Sequence, residues 1–144
     1  MIEKIIHQGY TLAIIVRSTY KSDGIEFFTP DDFSQQIGYM KREKGYVIVP
    51  HKHLEVEKVI LQTFETLIVR KGKIKVSLYD QLDDLVEECI IGQGDVVLLS
   101  GYGHGFEMLE DSEIIEVKQG PYIAGYDKIA ICGAKSSVSE WKQQ

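Results

Sequence analysis

The stretch Val47–Tyr79, VIVPHKHLEVEKVILQTFETLIVRKGKIKVSLY, is built from short β-branched runs separated by compact polar turns. Runs of about four to eight residues of this kind predict β-strands, here over 46–53, 63–70 and 73–79. The segment RKGK between the last two is turn material, because its glycine supplies the backbone freedom that tight turns need. Strands so close in sequence favour an antiparallel sheet.

The same pattern continues through most of the chain, where glycines fall between further β-branched runs. Many short strands in one chain predict an all-β fold, either a sandwich or a closed barrel. The additional strands are predicted over 10–17, 86–91, 95–99, 104–109 and 113–118.

The segment TPDDFSQQIG, residues 29–38, is the best candidate for a helix. Thr29 is placed as the N-cap, Pro30 at the first helical position and Gly38 beyond the end. The sequence therefore predicts one short helix of one or two turns.

Size and charge restrict the class of protein. With 144 residues, 44% of them hydrophobic, the chain is expected to form a single domain over 1–144. The formal net charge of -6 disfavours a nucleic-acid partner. The apolar run YTLAIIV from Tyr10 is too short to span a bilayer, so we expect a cytoplasmic protein without a membrane partner.

Cys89 and Cys132 are expected to be reduced, buried thiols rather than a disulfide.

Side chains alternate between the two faces of a strand, and this places chemistry-bearing residues on the core side. His51 and His53 share a face with Val47 and Val49, so both imidazoles are expected to point inward. Glu65 likewise lines up with the apolar residues 67 and 69. A buried carboxylate without a basic partner in its own strand is costly, and a bound cation would offset that cost.

Imidazole nitrogens and a carboxylate oxygen form a donor set suited to a divalent first-row metal. His104 opens a strand in phase with Phe106 and Met108 and is therefore a third imidazole on the inner side. Solvated histidines at a strand end, or a turn histidine bonded to a backbone carbonyl, are the simpler alternatives. Tyr102, Phe106 and Met108 are interpreted as cavity wall or core.

These residues resemble the two motifs of a small single-domain cupin. Gly45, His51, His53, Glu65 and Gly72 match the first motif, and Gly94, Asp95 and His104 fit the second. Eleven residues separate His53 from Glu65, more than the family usually has, so Glu55 and Glu57 in this interval are rival ligands.

The resemblance implies a double-stranded β-helix, or cupin jelly-roll barrel, with a motif core at about 45–118. An N-terminal strand and the short helix would occupy 1–44, and an extension 119–144. It also implies a metal site of His51, His53, Glu65 and His104 holding Fe, Mn, Ni or Zn. The expected function is oxygenase, isomerase or lyase chemistry on a small-molecule substrate, and the alternative is a non-catalytic ligand-binding or sensor barrel.

A homodimer is also predicted, on separate grounds. The apolar run YTLAIIVR exceeds what the motif core needs, and an unpaired edge strand is a liability unless another chain covers it.

Overall fold

A computed structural model describes residues 1–131, and all of their regular structure is β-strand. The strands form three antiparallel sheets, ordered β1-β2-β8-β5-β10, β3-β4 and β7-β6-β9. The predicted all-β class is confirmed, although no sheet of the described residues closes into a barrel. The strands are β1 (Ile2–His7), β2 (Tyr10–Val16), β3 (Gly24–Phe27), β4 (Gly38–Lys41), β5 (Glu65–Lys71), β6 (Lys73–Tyr79), β7 (Leu85–Gly92), β8 (Val96–Leu99), β9 (His104–Met108) and β10 (Glu113–Lys118).

The centre of the five-stranded sheet is covered on both faces. Its strand β2 lies between β1 and β8, and Ala13, Ile14 and Ile15 are completely buried. A strand with both faces covered is apolar throughout, which explains the unbroken run TLAIIV. The run is therefore not an uncovered edge strand, and the reason that the sequence offered for a homodimer is wrong.

The main core lies between the five-stranded and three-stranded sheets. Leu67 of β5 and Val97 of β8 pack there with Ile74, Val76 and Ile91 of the facing sheet. A second cluster lies on the outer face of the five-stranded sheet, where Phe28 and Phe64 cover Ile14 and Leu98. The β3-β4 hairpin and its loop thus form a third layer over that face.

The short helix predicted from Thr29 is wrong, because residues 29–37 form an irregular loop. Its ends are closed by the Phe28 N–H donating to Ile37 O at 2.9 Å. The Thr29 hydroxyl accepts from the Ile37 N–H at 3.3 Å rather than capping a helical turn. A helix this short is marginal by itself, and the packing of Phe33 against Phe64, 5.1 Å between ring centroids, holds the loop across the sheet instead. Residues 1–131 contain no helix of the length and apolarity that crossing a membrane requires.

The turn between β5 and β6 depends on Gly72. Its φ of 80° lies in the left-handed region that other residues rarely adopt. A Cβ atom at this position would lie 2.4 Å from Asp111 O, so the neighbouring β9–β10 connection leaves no room for a side chain.

One ion-pair cluster links the start of the five-stranded sheet to the turn between β7 and β8. Arg17 donates to Glu3 Oε1 at 2.7 Å and to Asp95 Oδ2 at 3.0 Å. The N–H groups of Ser18 and Gly92 also donate to the Asp95 carboxylate. Burial raises the pKa of Asp95, but the two N–H groups and Arg17 outweigh it and hold that pKa below its usual range.

Cys89 is a free, half-buried thiol packed against the main core. Burial raises its pKa to about 11, so it is un-ionised near neutral pH. Cys132 lies outside the described residues.

Candidate functional site

Glu65 and His104 meet at one end of the main core. Glu65 begins β5 in the five-stranded sheet, and His104 begins β9 in the three-stranded sheet. His104 Nε2 donates a hydrogen bond to Glu65 Oε2 at 3.0 Å, and the two side chains retain only 25% and 14% exposure. The pair therefore bridges the two sheets in a partly dry environment.

Lys118 completes the immediate surroundings of Glu65. It lies directly opposite Glu65 in the β5–β10 register, with Nζ 3.8 Å from Glu65 Oε1. The same ammonium group lies 3.3 Å from both Glu116 Oε1 and Asp127 Oδ2. Burial lowers the pKa of Lys118, but the hydrogen bonds to Asp127 and Glu116 outweigh burial and raise that pKa. Lys118 is thus a fixed positive charge beside the Glu65–His104 pair.

Glu65 is ionised in this environment. The hydrogen bond from His104 lowers its pKa, and this effect exceeds the opposing effect of burial. The charges of His104 and Lys118 lower the pKa further. Its negative charge is therefore compensated by residues of the chain itself, on strands β9 and β10, so the buried carboxylate does not by itself require an outside cation.

Aromatic residues border the pair, with different degrees of burial. Tyr102 packs against the main core and makes an edge contact with Tyr10, 5.8 Å between ring centroids. The His104 ring lies 5.3 Å from that of Phe106. Phe106 and Met108 follow His104 along the inner face of β9 but are both exposed. Tyr102 therefore belongs to the core, whereas Phe106 and Met108 line an open surface.

His51 and His53 lie away from the core, on the irregular connection 42–64 between β4 and β5. The strand predicted over 46–53 is not formed, and the inward orientation predicted for its odd-numbered residues is wrong. Val47 and Val49 are each 75% exposed, and both histidines are exposed with them. The two imidazole rings lie 5.6 Å apart, and His51 Nδ1 is 2.9 Å from Val49 O.

The donors that the sequence singled out thus fall into two groups. Glu65 and His104 are in direct contact, whereas His51 and His53 do not join them. Glu55 and Glu57, the rival ligands, are exposed on the same connection as the two histidines. Among residues 1–131 there is no group of three or more His, Cys, Asp or Glu arranged to hold a metal ion.

Lys118 and Asp127 are site residues that sequence reasoning missed. Lys118 shares the inner face of β10 with Glu116, so the two-residue period of the predicted strand 113–118 contained a usable signal. No comparable signal existed for Asp127, because it follows the strand in the irregular segment 119–131.

Similarity to known proteins adds no residue to this site. No family model matches the chain, and no curated protein or solved structure matches it either. Its chemistry is therefore inferred from the contacts of Glu65, His104 and Lys118.

Proposed function

We propose that this protein is a cupin-type protein of small-molecule metabolism that binds a divalent transition metal through His51, His53, Glu65 and His104. The observation that supports this most directly is the 3.0 Å contact between His104 Nε2 and Glu65 Oε2. These residues are 39 positions apart and belong to different sheets, yet they meet at one end of the core. One ionised carboxylate and one imidazole are half of a donor set for Fe, Mn, Ni or Zn.

The other half would come from His51 and His53 by movement of the connection. Among the described residues, 47–61 make no backbone–backbone hydrogen bond, so their movement breaks no sheet pairing. The eleven residues between His53 and Glu65 span up to about 36 Å when extended, ample for the imidazoles to reach the pair. The cost is the entropy of ordering this segment, which metal–ligand bonds would have to offset.

A metal bound here would supply Lewis-acid chemistry, consistent with oxygenase, isomerase or lyase activity on a small molecule. Glu65 would provide the negative charge that neutralises part of a divalent ion. Lys118 would hold the carboxylate in place.

A non-catalytic ligand-binding or sensor barrel is the second candidate, and Lys118 is the observation that favours it. Because Lys118 and His104 already compensate Glu65, the same polar cluster is stable without a metal and could bind a polar ligand directly.

Metal titration of purified, chelator-treated protein tests the first candidate. Iron, manganese, nickel and zinc are added in turn, and bound metal and melting temperature are measured. The wild type should bind about one equivalent and melt at a higher temperature, whereas His53→Ala, His104→Ala and Glu65→Gln should lose both responses. His7→Ala, at the remaining histidine, is the matched control and should respond like the wild type. Less than about a tenth of an equivalent, with no shift in melting temperature, would reject the metal site and leave the ligand-binding barrel.

A further inference from the structure

The connection between β4 and β5 exposes an unusual amount of apolar surface. Two groups of three aliphatic side chains flank its centre, and each of the six is between 45% and 90% exposed. Irregular loops of this length are uncommon in compact domains and are usually functional. Exposed apolar segments rimmed by charged residues commonly mark interaction surfaces. The six residues are Val47, Ile48, Val49, Val59, Ile60 and Leu61.

The sequence of this segment is self-complementary about Leu54. Reading outward from it, His53 corresponds to Glu55 and His51 to Glu57. Further out, Val49 corresponds to Val59, Ile48 to Ile60 and Val47 to Leu61. In these five pairs each imidazole meets a carboxylate and each aliphatic side chain meets another aliphatic one, whereas Lys52 meets Val56 and Lys58 meets Pro50.

We propose that residues 47–61 pair with the same residues of a second copy of this chain. They would form an antiparallel two-stranded ribbon whose twofold axis passes through Leu54. In a twofold interface a contact between residues i and j is repeated between j and i, so each favourable pair named above occurs twice. His51 and His53 then lie opposite Glu57 and Glu55 of the partner subunit, so each imidazole–carboxylate contact is made twice.

The same register cannot form within one chain. Placing His53 opposite Glu55 would leave only Leu54 to reverse the strand direction, whereas the shortest common hairpin loops contain about two residues. A second copy is therefore the occupant that this pattern fits.

Pro50 is compatible with the ribbon. Opposed residues in an antiparallel pair alternate between hydrogen-bonded and non-hydrogen-bonded positions. If the His–Glu pairs take the hydrogen-bonded positions, Pro50 falls opposite Lys58 at a non-hydrogen-bonded one. Its missing N–H then costs no ladder hydrogen bond.

The interface is expected to be weak. Two strands by themselves are marginally stable, and fifteen residues per chain are fewer than the roughly 20–30 of a standard interface. A dissociation constant on the order of 1–100 µM is therefore expected.

Sedimentation equilibrium of the full chain in chelator at about 5–200 µM provides the first test. Chelator makes its result independent of the proposed metal site. The wild type should approach twice its 16.4 kDa mass as concentration rises. Glu55→Lys/Glu57→Lys should weaken dimerisation at least about tenfold, because it removes the carboxylate partners of all four imidazoles in the dimer. Asp31→Lys/Asp32→Lys, which makes the same charge change on another exposed loop, should not.

Exchanging the two charge types in one chain should restore the dimer. His51→Glu/His53→Glu alone places carboxylates opposite carboxylates, but adding Glu55→Lys/Glu57→Lys places an ammonium group opposite each new carboxylate. Unchanged melting temperatures would show that the variants are folded. A wild type that stays monomeric at all concentrations, a dimer insensitive to Glu55→Lys/Glu57→Lys, or an exchange that fails to restore dimerisation would overturn the proposal.

The proposed pairing register of the ribbon can be tested separately by disulfide cross-linking. Leu54 faces its own copy across the twofold axis, at a Cα separation of about 4.5 Å, which a disulfide can bridge. Leu54→Cys should therefore give a disulfide-linked dimer under mild oxidation, above the background of the wild-type cysteines. Leu82→Cys, at an equally accessible position in the β6–β7 turn, should not. Equal cross-linking of both variants would contradict the register.

Discussion

The side of the strand on which Glu65 lies could be predicted from the sequence, whereas its partners could not. Its phase with Leu67 and Val69 correctly predicted a carboxylate on the core side of β5. Its partners His104 and Lys118 come from two other strands, and their approach depends on strand order and sheet packing. A period-2 pattern specifies a face but not the residue opposite that face.

Replacing Glu65 by Gln tests how much the contacts of its carboxylate with His104 and Lys118 stabilise the fold. Glu65→Gln keeps the volume of the side chain but leaves His104 and Lys118 without their shared carboxylate in a partly buried position. We expect the metal-free protein to lose about 1–3 kcal/mol of unfolding free energy, measured by denaturant titration. Glu116→Gln, which removes a more exposed partner of Lys118, should change the stability by less than about 0.5 kcal/mol. A Glu65→Gln variant as stable as the wild type would mean that the Glu65 carboxylate contributes nothing to folding.

Gly72 permits a second prediction at the residue scale. Gly72→Ala should lower the free energy of unfolding by about 2–4 kcal/mol, because left-handed backbone strain and collision with Asp111 O act together. Gly9 has a similar φ of 83° but no atom near the position of a Cβ. Gly9→Ala should therefore cost only about 1–2 kcal/mol for the backbone alone. Equal losses in the two variants, compared by urea unfolding, would rule out the steric contribution at Gly72.

At the scale of elements, strands with strong apolar alternation and clear turns were predictable. The runs at 73–79 and 113–118 match β6 and β10, and five of the other six agree with β2, β5, β7, β8 and β9 to within a few residues. Sequence reasoning missed β1, β3 and β4, which are short or rich in polar residues. Their strand conformation depends on a neighbour, as β1 depends on pairing with β2.

The failed strand at 46–53 has a related cause. Its alternation is regular, but none of the described strands pairs with it. Local β-propensity does not compensate for unpaired backbone groups, which are satisfied only by another strand or by water. Because this strand is not formed, His51 and His53 lie on the surface and not in the core, where the sequence pattern placed them.

The Arg17 cluster joins separate elements and predicts how stability depends on pH. Glu3 and Asp95 both have pKa values lowered in the folded protein, Glu3 chiefly by its hydrogen bond from Arg17. Groups with lowered pKa values stabilise the fold above their unfolded pKa, and this stabilisation is lost as pH falls through the folded value.

The wild type should therefore lose stability progressively below about pH 4. Asp95→Asn should be less stable near neutral pH and should show a shallower decline in acid, measured by thermal melting from pH 7 to pH 2. Asp31→Asn, which removes an exposed carboxylate from the loop 29–37, should keep the wild-type slope. An Asp95→Asn slope equal to that of the wild type would show that this carboxylate does not contribute to acid unfolding.

At the scale of the whole molecule, the connection 42–64 supplies His51 and His53 both to the proposed metal site and to the proposed dimer. In the metal-bound form His51 and His53 would join Glu65 and His104, and in the dimer they would face Glu57 and Glu55 of the partner subunit. The two arrangements are mutually exclusive for one chain, so metal binding and dimerisation should oppose each other. Because such coupling is reciprocal, a metal that weakens the dimer must itself bind more weakly at high protein concentration.

Sedimentation with and without metal tests this coupling. A metal from the proposed set, such as zinc or nickel, should raise the dimer dissociation constant at least about fivefold. Magnesium, which prefers oxygen ligands, should leave it unchanged. His104→Ala should abolish the metal effect while leaving the metal-free dimer intact, since His104 lies outside the ribbon. If zinc instead tightened the dimer, and did so equally in His104→Ala, the ion would be held by His51 and His53 together with the carboxylates of the ribbon. Glu65 and His104 would then be an ion pair of the core and not metal ligands.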